Sequence, residues 1–245
     1  MEKERIVLNT LIQQKEQQNG KSQIDIIKDL LPLGYRNFEI RREYLSNTLD
    51  ELKDLADLKL KYRLVYFYSI PENLFVEHHL NPEILQFISE AQMMGANYLK
   101  MTLGDFSTNE PQELNWLNEV LPNSLQLNLE NDQTDANANV NTLLNFFKVA
   151  KDLKANIGFV NDLGNWVFTS QDELNATKEL LPFTRYIHLK GYQKQDGLPV
   201  TTSFIDSDLD WQELLSKFNS NLPVGIEYPA SVDKLQEDLN VLKTF

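Results

Sequence analysis

A chain of 245 residues with 42% hydrophobic content can bury one large core, and α/β barrels commonly reach about 250 residues as a single domain. The 36 acidic residues against 23 scattered basic ones give a formal charge of -13. That balance argues against a nucleic-acid partner, because neutralising a phosphate backbone takes clustered Lys and Arg. The absence of Cys excludes disulfides and thiolate metal sites, so any metal here is held by carboxylates, imidazole and water.

Taken in chain order, strand-like runs fall near 5–11, 36–41, 62–69, 97–103, 124–130, 156–162, 184–190 and 223–228. Between them lie apolar stripes at helical spacing: Leu49, Leu52 and Leu55; Ile84, Leu85 and Ile88; Val140, Leu143, Leu144 and Phe147; Val232, Leu235, Leu239 and Leu242. Asn81-Pro82 has the form of an N-cap with a first-turn proline, and Ser170 to Glu173 has the spacing of a capping box. Eight strand-helix units with no Pro/Gly/Ser-rich linker predict an α/β fold, a (β/α)8 TIM barrel forming a single domain over 1–245; a doubly wound open sheet would give the same alternation. No apolar run approaches the ~18 residues of a membrane span, and no hydrophobic signal segment opens the sequence. A cytoplasmic protein without a membrane partner is expected.

Four of the strand-like runs end on a side chain that can bind a metal: Glu130 in LQLNLEND, Asp162 in NIGFVND, His188 in RYIHLK and Glu227 in PVGIEYP. Their spacings of 32, 26 and 39 residues match consecutive βα units of about 30 residues or more, not one local loop. Convergence of parallel strands would gather them into an oxygen/nitrogen site for one divalent ion, with Mn, Co, Zn or Mg as candidates. Alternation within the strands sharpens this reading. In 124–130, Leu125, Leu127 and Leu129 share one face while Gln126, Asn128 and Glu130 share the other. With the apolar face on the helices, Glu39, Lys100, Glu130, Asp162, His188, Lys190 and Glu227 would line one cavity. Buried charges so arranged need partners, and an ion plus a polyhydroxylated substrate would satisfy them. Trp166, in the loop after Asp162, is a candidate apolar wall over a sugar ring. Trp116 and Trp211 read as packing residues on helices, and His78 and His79 as a solvated loop.

In order and spacing, LNLEND at 127–132, FVNDLGN at 159–165, YIHLKGY at 186–192 and VGIEYPA at 224–230 resemble the xylose isomerase-like TIM barrels. That group contains sugar-phosphate isomerases and epimerases, inosose isomerases, dehydratases and the endonuclease IV type of AP endonuclease. LGYRNFEIR at 33–41 also resembles the family's second strand, where a Glu often stands. The resemblance covers essentially the whole chain. It implies that Glu130, Asp162, His188 and Glu227 bind the metal, and that Glu130 and Glu227 are also the catalytic acid/base pair. Family members often carry a His where this chain has Asn165, and its epimerases often place an Arg just beyond the strand-seven His, where this chain has Lys190 and Lys194. Glu39, Lys100, Asn165, Trp166 and Lys190 are accordingly taken as substrate-binding residues. Three His in total cannot supply the histidine-rich site of an endonuclease IV. The implied activity is a metal-dependent isomerase or epimerase, working through an enediolate on a sugar, sugar phosphate or inosose. A dehydratase of the same family and a non-catalytic sugar-binding barrel are the alternatives. The implied partner is a small-molecule carbohydrate, and barrels of this kind often pair as homodimers.

Overall fold

Eight parallel strands close on themselves. In the computed structural model, which describes residues 1–107 and 112–245, β1 (Ile6–Asn9) pairs with both β2 (Asn37–Arg41) and β8 (Val224–Ile226). The ring continues through β3 (Val65–Val76), β4 (Tyr98–Gly104), β5 (Gln126–Glu130), β6 (Ile157–Asp162) and β7 (Thr184–Leu189), every neighbour parallel. A helix follows each strand: α1 (Gln23–Leu30), α2 (Thr48–Tyr62), α3 (Ile84–Met94), α4 (Gln112–Val120), α5 (Val140–Asp152), α6 (Glu173–Leu180), α7 (Trp211–Leu215) and α8 (Val232–Thr244). This is a (β/α)8 barrel, and closure removes the sheet edges that an open doubly wound sheet would leave. No helix among the described residues is long and apolar enough to cross a membrane.

Strand alternation sorts the side chains into two cores. Outward-facing Leu99, Met101, Leu127, Leu129, Ile187 and Leu189 are buried against the helix stripes, where Leu52, Leu55, Ile84, Ile88, Leu143, Phe147, Leu235, Leu239 and Leu242 meet them. Leu49 and Leu85, at the edges of their stripes, are about half exposed. Inside the barrel, Val7, Phe67, Val160 and Tyr186 form a separate apolar plug joined by Val65 and Tyr98. Phe67 stacks on Tyr98 with ring centroids 4.0 Å apart and tilts against Tyr186 at 4.7 Å. The plug floors the barrel, and the charged strand ends stand above it.

Three local features depart from the sequence expectation. The third strand runs on to Val76 through an irregularity between Ser69 and Asn73, then turns back through left-handed Glu77 and His78 to pair with His79–Leu80. An antiparallel hairpin, Gly191–Gln195 with Leu198–Thr202, grows directly out of β7. The predicted caps sit slightly upstream of the true ones. Asp172, not Ser170, accepts the Asn175 N–H of α6, because Ser170 is left-handed after the short Trp166–Thr169 turn. Asn81 accepts the Glu83 N–H at 2.9 Å just ahead of α3.

Candidate metal centre

Parallel register brings the four strand ends together. Asp162 lies opposite His188, and His188 opposite Gly225, two residues before Glu227. Because side chains alternate along a strand, Glu130, Asp162, His188 and Glu227 all face inward. One donor atom from each lies within 4.8 Å of the others, and all four residues are buried. Gly225 makes this approach possible: a Cβ there would meet the Tyr186 hydroxyl at 2.2 Å and His188 Cδ2 at 2.8 Å.

Hydrogen bonds fix each donor. His188 Nε2 faces Glu39 Oε2 at 2.7 Å, and the Tyr186 hydroxyl donates to the same oxygen at 2.6 Å. An acidic partner on Nε2 selects the tautomer that carries its proton there and leaves the Nδ1 lone pair for a ligand. Nδ1 lies 2.5 Å from Glu130 Oε1 and 3.2 Å from Glu227 Oε2. Apart from these contacts with each other and with Glu227, neither Nδ1 nor Glu130 Oε1 has a polar partner, although both are buried. Asn131 clamps the end of β6, donating from Nδ2 to the Asp162 carbonyl and accepting the Asp162 N–H, each at 2.9 Å. Asn165 Nδ2 donates to Asp162 Oδ2 at 2.9 Å, and Asn9 Nδ2 to Glu227 Oε1 at 3.2 Å.

The charges are as dense as the geometry. Lys100 Nζ bonds Glu130 Oε2, and Lys190 Nζ reaches Asp162 Oδ2 at 2.7 Å and Glu227 Oε2 at 3.2 Å. Arg41 bridges Glu43 and Glu227 at the rim. Burial would raise every carboxylate, but Lys100 and His188 outweigh it at Glu130, lowering its pKa to about 2. His188, Lys190 and Lys100 likewise hold Glu227 well below the ordinary range. At Asp162 burial wins over Lys190, raising the carboxyl to about 7. Burial would lower His188, but Glu39, Glu227 and Glu130 together lift it well above its usual value. Four carboxyl groups, Glu39, Glu130, Asp162 and Glu227, thus face two ammonium groups, Lys100 and Lys190, and the surplus is met by protons held on His188 and Asp162. A divalent cation that displaced those protons would be balanced by the same surplus, with His188 Nδ1 and Glu130 Oε1 among the lone pairs on offer. The donor set therefore fits such an ion.

Above the donors opens a cavity of about 340 Å³ lined by Arg41, Ser69, Lys100, Thr102, Asn165 and Lys190 among others. A second lobe of about 280 Å³ shares Arg41, Lys190 and Glu227 and adds Gln14 and Thr201 of the hairpin.

No protein-family model matches the sequence, and no curated protein matches it. Solved structures do. The probable 3-DHS dehydratase AsbF of Bacillus anthracis superposes with a TM-score of 0.73 over 98% of each chain at 15% identity. A D-psicose 3-epimerase follows at 0.67, covering 98% of this chain and 97% of that one at 13% identity. IolI, solved with a bound zinc atom, scores 0.62 over 98% and 95% at 13% identity. The fold is the (β/α)8 barrel that these structures share. At such identities the likeness establishes the architecture, and the chemistry has to be argued from the residues in place.

Within this barrel, Glu39, Lys100, Asn165 and Lys190 lie beside the four donors. Trp166 does not. It is fully buried, its indole N–H donates to Asn161 Oδ1 at 2.9 Å, and its ring packs toward Phe159. Asn161 neighbours Asp162 on the strand and faces the opposite way, so Trp166 fills the layer between barrel and helices and is not a wall of the cavity. Trp211 is buried against Phe204, whereas Trp116 is 42% exposed. His78 and His79 sit in the exposed turn near Asp105 and Glu113. The sequence pattern alone did not single out Tyr186, Asn9 or Asn131. Tyr186 was traceable, since it shares the inward face with His188; Asn9 and Asn131 act across neighbouring strands on residues 218 and 31 positions away in sequence.

Proposed function

We propose that the protein is a divalent-metal-dependent isomerase or epimerase of a small carbohydrate, moving a proton on a carbon next to a carbonyl. The observation that carries this reading is the placement of two carboxylates, Glu130 and Glu227, within 3.2 Å of the same imidazole nitrogen on the floor of one polar cavity. An ion held by Glu130, Asp162, His188 and Glu227 would supply Lewis-acid polarisation of a substrate carbonyl. Glu130 and Glu227 come from strands separated by β6 and β7, so they approach the reacting carbon from different sides. One takes the C–H proton and the other, having taken up a proton from solvent, gives it to the same carbon for epimerisation or to its neighbour for isomerisation, after which the first releases its proton to solvent. Lys100 and Lys190 offset negative charge that builds on the substrate oxygens. Asn165 lines the cavity but has no proton to exchange, so its role is positioning a hydroxyl.

The test is exchange of the substrate C–H with deuterium oxide, followed by NMR on D-fructose, D-psicose and L-ribulose. Glu130→Gln abolishes exchange while the melting temperature stays within a few degrees; undiminished exchange in the variant sinks the role. A second reading, dehydration of a hydroxy-ketone, is favoured by the TM-score of 0.73 to a probable dehydratase of matching length. It begins with the same proton removal and differs in losing water, so a product lighter by one water decides for it.

A further inference from the structure

Lys100 and Lys190 look alike in sequence, yet they touch opposite sides of the donor set. Lys100 Nζ bonds Glu130 Oε2 and lies 3.6 Å from Glu39 Oε1 and 3.8 Å from Glu227 Oε1. In each of these carboxylates it is the other oxygen that contacts the His188 ring. The oxygen of Glu130 that faces Nδ1 is Oε1, whereas Lys100 holds Oε2. Lys100 therefore grips the back of the site and leaves the ligand atom free. Lys190 does the reverse. Its Nζ bridges Asp162 Oδ2 and Glu227 Oε2, and Glu227 Oε2 is the oxygen 3.2 Å from Nδ1. The other Asp162 oxygen already accepts the Gly164 N–H at 3.0 Å. An ion beside Nδ1 would compete with Lys190 for Glu227 Oε2, the oxygen nearest that nitrogen, and for the Asp162 oxygen it bridges.

We propose that the two lysines have opposite roles toward the metal: Lys100 is a positioning residue that presents Glu130, and Lys190 is a resident cation that the metal must displace. The idea rests on the metal-dependent reading above. Lys190 keeps Asp162 and Glu227 close together in the metal-free protein, where their mutual repulsion would otherwise part them. Once the ion takes those carboxylates, the ammonium is left without its partners on the wall of both cavity lobes, available to a substrate oxygen. The Lys190 charge would thus be freed for a substrate only when the ion is in place.

The experiment is calorimetric titration of the chelator-treated full-length protein with Mn²⁺ at pH 8, using wild type, Lys100→Met, Lys190→Met and Lys190→Arg. Lys190→Met should bind Mn²⁺ at least about fivefold more tightly, because a competing like charge is gone. Lys100→Met should bind it about tenfold more weakly, the usual scale for a lost partner of a ligand. Lys190→Arg, which keeps the charge, should not tighten binding. A general packing defect would weaken binding in every variant and cannot produce the gain. If Lys190→Met proves unfolded, Lys190→Gln carries the same expectation. Weaker or equal binding in both neutral Lys190 variants overturns the proposal while leaving the metal reading intact. No Mn²⁺ binding by wild type overturns both.

Discussion

At the scale of the residue, the centre turns on one imidazole. Glu39 and Tyr186 hold His188 by its Nε2 side, so that Nδ1 confronts two carboxylates. Without an ion, the surplus negative charge is met by protons: His188 is pushed well above its ordinary pKa, and Asp162 is raised to about 7 by burial. A metal needs both groups deprotonated. Binding therefore displaces protons, and the count depends on pH. Below about pH 6 both His188 and Asp162 give one up; above about pH 8 Asp162 is already ionised and only His188 contributes. Proton release should fall from about two to about one as pH rises through 7, while apparent affinity increases. Titrations in buffers of different ionisation enthalpy measure the release directly. A pH-independent value near zero would mean that the ion does not bind at these groups.

At the scale of the element, the sequence spoke most clearly where physics is local. Alternating apolar and polar residues in LQLNLE and RYIHLK identify the inward face, on which Glu130 ends the first run and His188 stands two residues before the end of the second. The hairpin after β7 and the prolonged third strand escaped notice, because short antiparallel pairs carry little pattern of their own. Trp166 was misplaced for a related reason. Its burial depends on Asn161 across the strand end, a contact that loop position does not reveal. Gly225 shows how strictly an element can be constrained. Its φ is not unusual, but a methyl group there would strike Tyr186 and His188. Gly225→Ala should cost about 1–3 kcal/mol through overpacking, seen as a lower melting temperature, and should also weaken metal binding by moving His188. Unchanged melting and metal affinity would show that the barrel floor yields more easily than the contacts suggest.

At the scale of the whole molecule, the closed barrel separates two tasks. Its outer face, packed on eight helices, supplies the apolar burial that stabilises the fold. Its upper interior gathers buried charges that would destabilise an ordinary core. Grouping four carboxylates, one imidazole and two ammonium groups in one place makes sense when an ion completes them, and that is the central claim. The direct test is elemental analysis of the protein purified without chelator, wild type beside His188→Ala. About one equivalent of Mn, Co, Zn or Mg in wild type, lost from a still-folded His188→Ala variant, is the predicted result. Wild type that takes up no metal under loading conditions, or a variant that keeps its ion, would contradict the account.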